Sequence, residues 1–425
     1  MERYQEYKDS GEQWLGEIPS HWEVKRLGSY FNERKSKVSD KDYAPLSVTK
    51  KGILPQLENV AKSNDSDNRK QVCAGDFVIN SRSDRKGSSG VSLLEGSVSL
   101  INIVLQPRKS IYSPFCNYLL KSNAFIEEYY RNGRGIVADL WTTRYDEMKS
   151  IKLAMPPLSE QAAIVTYLDR VTAQIDKAIA QQQRMIDLLN ERKQIIIQHA
   201  VTKGLDPNAE MVDSGVKWIG EMPKGWKSTP LRFVFEMRNG YTPSKNDPSF
   251  WNGGTIPWFR MEDIRKRGRF LKEATQYVTT KAVNGKGTFS AGSYIMAICT
   301  ASIGEHAILI ADSLANQQFA NFKICKSLSS LYSPMFLYYY FFVIGDFCRH
   351  NENSTCFQYV DMDALKNFPI LQPSMKIQNE IVSFLDKNLE RLEVTLKQTE
   401  KRISLLRERK QIIINEVVTG KVKVS

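Results

Sequence analysis

The sequence predicts an α/β (α+β) chain of two tandem globular modules, each followed by a long helix, with the helices paired antiparallel about a pseudo-two-fold axis. Three observations carry that expectation. They are an ordered internal repeat, an apolar seam of 3.5-residue period closing each copy, and short strand-like runs inside each globule.

The repeat is read from landmarks in matching order. DSGEQWLGEIPSHW at Asp9–Trp22 returns as DSGVKWIGEMPKGW at Asp213–Trp226, 204 positions on. AGDFVI at Ala74–Ile79 returns as AGSYIM at Ala291–Met296, 217 positions on, and YSPF at Tyr112 matches YSPM at Tyr332. ERKQIII at Glu191–Ile197 recurs letter for letter at Glu408–Ile414. Chance supplies one such match but not the series, so the chain holds two copies of one module.

The helices follow from periodicity. Leu389, Leu392, Leu396, Thr399, Ile403, Leu406, Lys410, Ile413 and Val417 step alternately by three and four. Thr172, Ile175, Ile179, Gln182, Ile186, Leu189, Lys193, Ile196 and Ala200 do the same in the first copy. This is a coiled-coil seam, interrupted at Gln182, Lys193 and Lys410, where polar residues fix register at some cost in stability. Pro156-Pro157 and Pro373 mark the helix starts, and Gly204 and Gly420 the ends. The division is therefore 1–155 first globule, 156–204 first long helix, 205–371 second globule, and 372–425 second long helix. Neither helix buries its stripe alone, and each finds its simplest partner in the other. Chain order then makes the pair antiparallel. About 35 residues at ~1.5 Å each span roughly 50 Å, near one and a half turns of B-DNA at ~34 Å per turn. The pair looks like a ruler between two readers.

Within the globules, Phe77–Ile79, Val98–Leu105, Tyr294–Ile298 and Ala307–Ile310 read as strands. Ser113-Pro114 and Ser333-Pro334 read as N-cap and first-turn pairs opening helices. The apolar run Met335–Ile344 is about half the ~20 residues needed to span a bilayer, so it reads as a buried helix, with Tyr338-Tyr339-Tyr340 as core.

Composition limits the function classes. The 425 residues are 42% apolar and 25% charged, with 59 Lys plus Arg against 47 Asp plus Glu, a net charge of +12. That surplus suits a polyanion such as double-stranded DNA. The polar opening MERYQEYKDSGEQW lacks a signal-peptide core, so a cytoplasmic protein without membrane contact is expected. Cys73, Cys116, Cys299, Cys325, Cys348 and Cys356 show no CxxC spacing. Cys348, His350 and Cys356 have zinc-ligand chemistry but lack a convincing fourth ligand nearby, and buried inert thiols are the expectation.

One loop has the chemistry of a reader. Asn80, Ser81, Arg82, Ser83, Asp84, Arg85, Lys86, Gly87, Ser88 and Ser89 follow a strand and offer guanidinium, ammonium and short hydrogen-bonding groups to phosphates and base edges. Gly87 and Gly90 let the backbone approach another surface. The equivalent loop, Cys299–His306, carries Thr300 and Ser302 and no charge except Glu305. Loops aligned in position and different in chemistry are what two readers of different sequences need; an ordinary solvated turn is the plainer alternative. Arg265, Lys266, Arg267 and Arg269 form a basic cluster suited to phosphates, which a solvated face explains nearly as well.

Catalytic sets are missing. Asp247-Pro248-Ser249-Phe250 lacks the second proline of a DPPF box and has no glycine-rich cofactor strand beside it, so it reads as a turn. Gly285-Lys286-Gly287-Thr288 lacks the upstream glycine of a P-loop. No HExxH or GxSxG occurs, and His21, His199, His306 and His350 are scattered.

Two variable domains separated by two near-identical long helices resemble the specificity subunit of Type I restriction–modification systems. The resemblance rests on WLGEIPSHW and WIGEMPKGW, on PPLSEQAAIVTYLD at Pro156–Asp169 and the looser QPSMKIQNEIVSFLD at Gln372–Asp386, and on ERKQIII followed by Val-Thr. It covers essentially the whole chain. It implies two target-recognition domains, each reading one half of an asymmetric two-part DNA site, with the helices setting the gap. It implies two modification subunits docked on this chain, methylating a flipped-out adenine, and motor–nuclease restriction subunits joining them. S-adenosylmethionine, ATP and magnesium would then sit on those partners and no cofactor on this chain. The resemblance gives the loop at Asn80–Gly90 a DNA-contacting role. Gln161, Gln378, Glu191, Arg192, Glu408 and Arg409 are its candidates for supporting the helix pair or docking partners. Ser374-Met375-Lys376-Ile377, where the first copy has Pro157-Leu158-Ser159-Glu160, puts exact equivalence of the two docking surfaces in doubt. A stand-alone two-reader DNA-binding regulator and a coiled-coil scaffold are the rival readings.

Overall fold

The computed structural model describes residues 2–56, 67–135, 141–285, 287–350, 352–354 and 358–424, without the side chains of Thr300, 352–354 and 358–359. Cys356 and Lys286 lie outside the described residues. The chain forms two compact units, the first made of Met1–Gln183 with Glu400–Ser425 and the second of Arg184–Thr399.

In the first unit an antiparallel sheet runs in the order Ser89–Val91, Phe77–Asn80, Asn102–Pro107, Phe31–Glu33. Its central strands are apolar through Phe77–Ile79 and Ile103–Leu105 because both faces are covered there. Phe77, Ile79, Ile103 and Leu105 join the main core, while Val78 and Val104 meet Leu46, Ile53, Val72 and Val98 on the other side. The second unit repeats the plan with Phe235–Asn239, Phe319–Ile324, Tyr294–Ala297 and His306–Leu309, plus Phe270–Leu271 added parallel at the edge. Tyr294 and Met296 face its main core, Ile295 and Ala297 the smaller one.

The strand expected over Val98–Leu105 is two strands. Gly96–Val98 belongs to a three-stranded sheet with Arg69–Val72, and Asn102–Pro107 to the four-stranded one. The Asn102 amide donates to the Ser99 carbonyl at 3.0 Å, closing a turn inside the largely apolar run. The apolar run from Met335 lies in helix Pro334–His350, with Tyr339 and Tyr340 fully buried in the core. Ser113 is not an N-cap; Tyr112 takes that position without a side-chain cap bond.

The long helices are Leu158–Lys203 and Met375–Val418. Every seam residue is buried or half-buried. In the first unit Asp176 accepts from Lys410 Nζ at 2.7 and 2.6 Å; in the second Glu393 accepts from Lys193 Nζ at 3.2 Å. Asp176 and Glu393 are repeat equivalents, as are Lys410 and Lys193, so one contact is made twice. The lysines that break the apolar seam carry the cross-helix ion pairs. In each unit the two helix segments run antiparallel. In the second, Ile197, Ala200 and Val201 share a core with Ile381, Leu385 and Leu389.

The repeated W-x-G-E segments receive the helix ends. Lys203 Nζ donates to the carbonyls of Ile219 (2.7 Å) and Glu221, and Lys421 Nζ to those of Leu15 (2.7 Å) and Glu17. Gly204 (φ +76°) packs on Trp226, and Gly420 (φ +74°) on Pro19 and Trp22, where a Cβ would collide with the Pro19 ring.

Candidate nucleic-acid interface

In the first unit the loop after Phe77–Asn80 is a short 3-10 turn, Ser83–Arg85, held from beneath. The Ser83 amide donates to the Trp141 carbonyl (3.1 Å), the Thr143 amide to Ser81 (3.0 Å), and the Arg82 amide to Asn80 Oδ1 (3.0 Å). Asn80, Ser81, Ser88 and Ser89 are buried by this framework; Asn80 Oδ1 braces the loop, and Asn80 and Ser88 border the adjoining groove. Arg82, Asp84 and Arg85 are exposed, and Ser83, Lys86 and Gly87 half-exposed. Lys86 is tied to Glu127 at 2.6 Å and Arg85 stands 3.6 Å from Asp84, while Arg82 makes no ion pair among the described residues. Gly90 does approach another surface, but it is the chain's own Gly52, whose Cα would lie 3.1 Å from an added Cβ.

Beside the loop runs a polar groove of about 610 Å³, walled by Ser47, Thr49, Lys50, Gln56, Arg85, Ser99 and Asn102. Its far wall is the hairpin Leu46–Thr49/Gly52–Pro55. The tip of that hairpin carries Lys50 and Lys51, both exposed. Sequence reasoning missed this pair, although Thr-Lys-Lys-Gly is a turn signature bearing two cations. Two positive rims around hydroxyls and amides can hold phosphates while presenting hydrogen-bonding groups to base edges.

The second unit corrects the expectation for the equivalent place. Cys299, Ser302, Ile303 and His306 are buried, because Gly304 (φ +87°) sits against Gly345 of the adjacent helix with under 3 Å left for a Cβ. Ser302 Oγ accepts from Arg265 at 2.9 Å and faces inward; the Thr300 side chain lies outside the described residues. The basic cluster is largely neutralised. Arg265 pairs with Glu305 at 2.7 Å, Arg267 with Glu273 at 3.0 Å, and Arg269 with Asp386 at 2.8 Å over the rings of Tyr338 and Tyr339. Lys266 alone of the four is without an ion pair among the described residues.

His306 has its Nδ1 2.8 Å from the Gly304 carbonyl and its Nε2 3.1 Å from that of Tyr338. An imidazolium would satisfy both, yet burial, with Arg349 and Lys193 nearby, pushes the pKa down to about 4 from 6.5. A folded-state pKa below the unfolded one gives stability that is intact above pH 6.5 and lost as pH falls toward 4, by about 3 kcal/mol. His306→Gln should remove that part of the slope in urea unfolding measured across pH 7 to 4.5. Equal slopes in both proteins would contradict it.

Gln161 and Gln378 are 1% and 0% exposed, so neither offers its side chain to a partner. Each locks a helix start to its globule. Gln161 Oε1 accepts from the Tyr112 amide (2.9 Å) while Nε2 donates to the carbonyls of Pro156 (2.9 Å) and Ser110 (3.3 Å). Gln378 Oε1 accepts from the Ser333 amide (2.7 Å) and Nε2 donates to Leu331 (2.8 Å) and Pro373 (2.9 Å). Glu160 accepts from Tyr4 Oη and from Trp22 Nε1 at 3.2 Å, and lies 2.8 Å from His21 Nε2. Its counterpart Ile377 cannot do so, and the two helix starts differ there. Glu191, Arg192, Glu408 and Arg409 are exposed. Around them each copy shows the same apolar residues to solvent: Leu188 and Ile195 at 44% and 58%, Leu405 and Ile412 at 53% and 47%.

Cys116 and Cys348 are buried, and burial raises both thiols, Cys348 to about 12, so they are inert. No cluster of three metal-ligating side chains occurs among the described residues, and no helix of theirs is long and apolar enough to cross a membrane.

Residues 223–404 match the Type I restriction modification DNA specificity domain. The Type I restriction enzyme EcoprrI specificity subunit of Escherichia coli is 43% identical over 165 residues, 37% of this chain; the match spans only 41% of that relative's length. The putative type I restriction enzyme MjaX specificity subunit of Methanocaldococcus jannaschii is 21% identical over 448 residues, 96% of each protein. A chain in a solved type I R-M system structure shares the fold, with a TM-score of 0.69 at 15% identity over 95% of this chain and 99% of that one. The repeat, the two like-built units and the long helices agree with these similarities, by which the chain is similar to the specificity subunits of Type I restriction–modification systems.

Proposed function

We propose that each unit reads one half of an asymmetric two-part DNA site. One observation carries the reading: two units with the same strand plan present unlike chemistry at the same place, an exposed basic loop beside a groove in one and a largely buried loop whose one charge is Glu305 in the other. A shared scaffold with different surfaces suits two different half-sites on one duplex. The long helices set the gap between half-sites. Leu188, Arg192 and Ile195, with their equivalents Leu405, Arg409 and Ile412, dock two copies of a modification subunit, and restriction subunits join through them. Identical exposed residues in both copies favour a partner present twice. Methyl transfer and cleavage belong to those partners, with S-adenosylmethionine, ATP and magnesium bound there, and the chain works in the cytoplasm.

Selection from a randomised duplex library, using the chain alone and with its methyltransferase partner, tests this. An asymmetric two-part motif with a fixed gap, strengthened by the partner, is expected; a single short motif would point to a stand-alone regulator. In the same assay Arg82→Ala with Arg85→Ala should lose about 1–3 kcal/mol for each base-contacting arginine and relax one half-site only. Unchanged affinity and motif would remove this loop from the reading surface.

A further inference from the structure

We infer that Gln317, in the second unit, takes the major-groove edge of an adenine, with Asn316 and Thr242 holding it in position. The inference rests on the reading of that unit as a DNA reader. With Cys299, Ser302, Ile303 and His306 buried, the described residues of that loop offer no counterpart to Arg82 and Arg85, and base contacts come from another part of the unit.

The turn Asn316–Gln318 has the fixity a reader needs. It joins Leu314–Ala315 to Phe319–Ile324, and its backbone is bonded on every side. The Asn316 amide donates to the Phe259 carbonyl (3.2 Å), the Ile298 amide to Gln318 (2.9 Å), and the Phe319 amide back to Asn316 (3.2 Å). The Tyr241 amide donates to Ala315 (2.8 Å), and Gly240 lies so close beneath that a Cβ would collide with the Asn316 carbonyl oxygen. Such a mount costs little ordering when a ligand arrives.

The side chains divide the work. Asn316 Nδ2 donates to Gln318 Oε1 at 3.0 Å and Asn316 Oδ1 accepts from the Gln318 amide at 3.1 Å, so Asn316 is consumed in bracing the turn. Gln317 is exposed, and the Thr242 hydroxyl donates to its Oε1 at 2.6 Å. That bond orients the amide. One Oε1 lone pair and the Nε2 hydrogens stay available, which is the acceptor–donor pair that matches adenine N6 and N7. Lys245, three residues beyond Thr242, is exposed and without an ion pair among the described residues, suitably placed for a phosphate.

The first unit gives an independent reason to look here. Its equivalent turn, Ser99–Ile101, is closed by the same two backbone bonds, Ser81 amide to Ile101 (3.2 Å) and Asn102 amide to Ser99 (3.0 Å). Ser99 and Ile101 line the groove beside Arg85. The same turn thus borders the candidate interface of one unit with serine and aliphatic groups and offers amides in the other.

The test is library selection on the chain assembled with its methyltransferase partner, wild type against Gln317→Ala and Gln317→Glu. Both substitutions are at an exposed position. The expected result is a ten- to hundred-fold loss of preference for adenine at one position of one half-site, with the other half-site unchanged. Glutamate, an acceptor only, should favour cytosine there. Thr242→Val should weaken the same position to a lesser degree. A duplex carrying 7-deazaadenine at that position should bind wild type more weakly and leave Gln317→Ala unaffected. Identical motifs from wild type and both Gln317 variants would overturn the inference alone. Absence of any two-part motif from wild type would overturn the DNA-reading assignment beneath it.

Discussion

Gln378→Leu is expected to destabilise the second unit by about 3–5 kcal/mol, and Gln161→Leu the first unit by a similar amount. Each glutamine is buried and spends its amide on one backbone N–H and two carbonyls. Leucine fills nearly the same volume, so packing changes little. What remains is three buried backbone groups without partners, each costing about 1–3 kcal/mol where water cannot reach. Urea unfolding, with hydrogen exchange to assign the loss to one unit, reads the effect. A loss below about 1 kcal/mol in both variants would mean that the freed groups find other partners and that the glutamines are not the locks described.

These glutamines also mark the limit of what the sequence disclosed. Periodicity located both long helices and every seam position, since a single apolar stripe recurring at 3.5 residues fits little besides a pair of long helices. The repeat disclosed the two-unit plan, and short runs rich in Val, Ile, Phe and Tyr disclosed strands of the central sheets. The function of Gln161 and Gln378 had no such signature. Their partners are mostly backbone groups 45–51 residues away, and backbone partners leave no trace in side-chain patterning. The one available signal was that glutamine persists at this place in both copies while its neighbours change from Ser-Glu to Lys-Ile. The basic cluster at Arg265–Arg269 misled for a related reason. Glu305, Glu273 and Asp386 neutralise it, and all but Glu273 are distant in sequence. The seam lysines show the converse. They looked like interruptions on one helix and are ion-pair partners once the second helix is present.

Seven residues added to each long helix, after Gln183 in the first and after Thr399 in the second, are expected to widen the preferred gap by about three base pairs. A heptad preserves the 3.5-residue phase of the seam, so the apolar stripes still meet. Both insertion points fall at the boundary between units, leaving Asp176–Lys410 and Lys193–Glu393 within their own units. Seven residues add ~10 Å of helix, against ~3.4 Å per base pair. The original site would then lose contacts to one half, with a fall in specific affinity on the order of a thousand-fold. Library selection with the assembled complex should return the same half-site letters at the wider gap. Four residues added to the first helix alone break the phase of the seam, and two-part binding should vanish with no compensating gap. Recovery of the original gap at full affinity from the heptad variant would refute the ruler. Recovery of the wider gap would mean that spacing is set by helix length and base identity by the two globules, as independent variables in one chain.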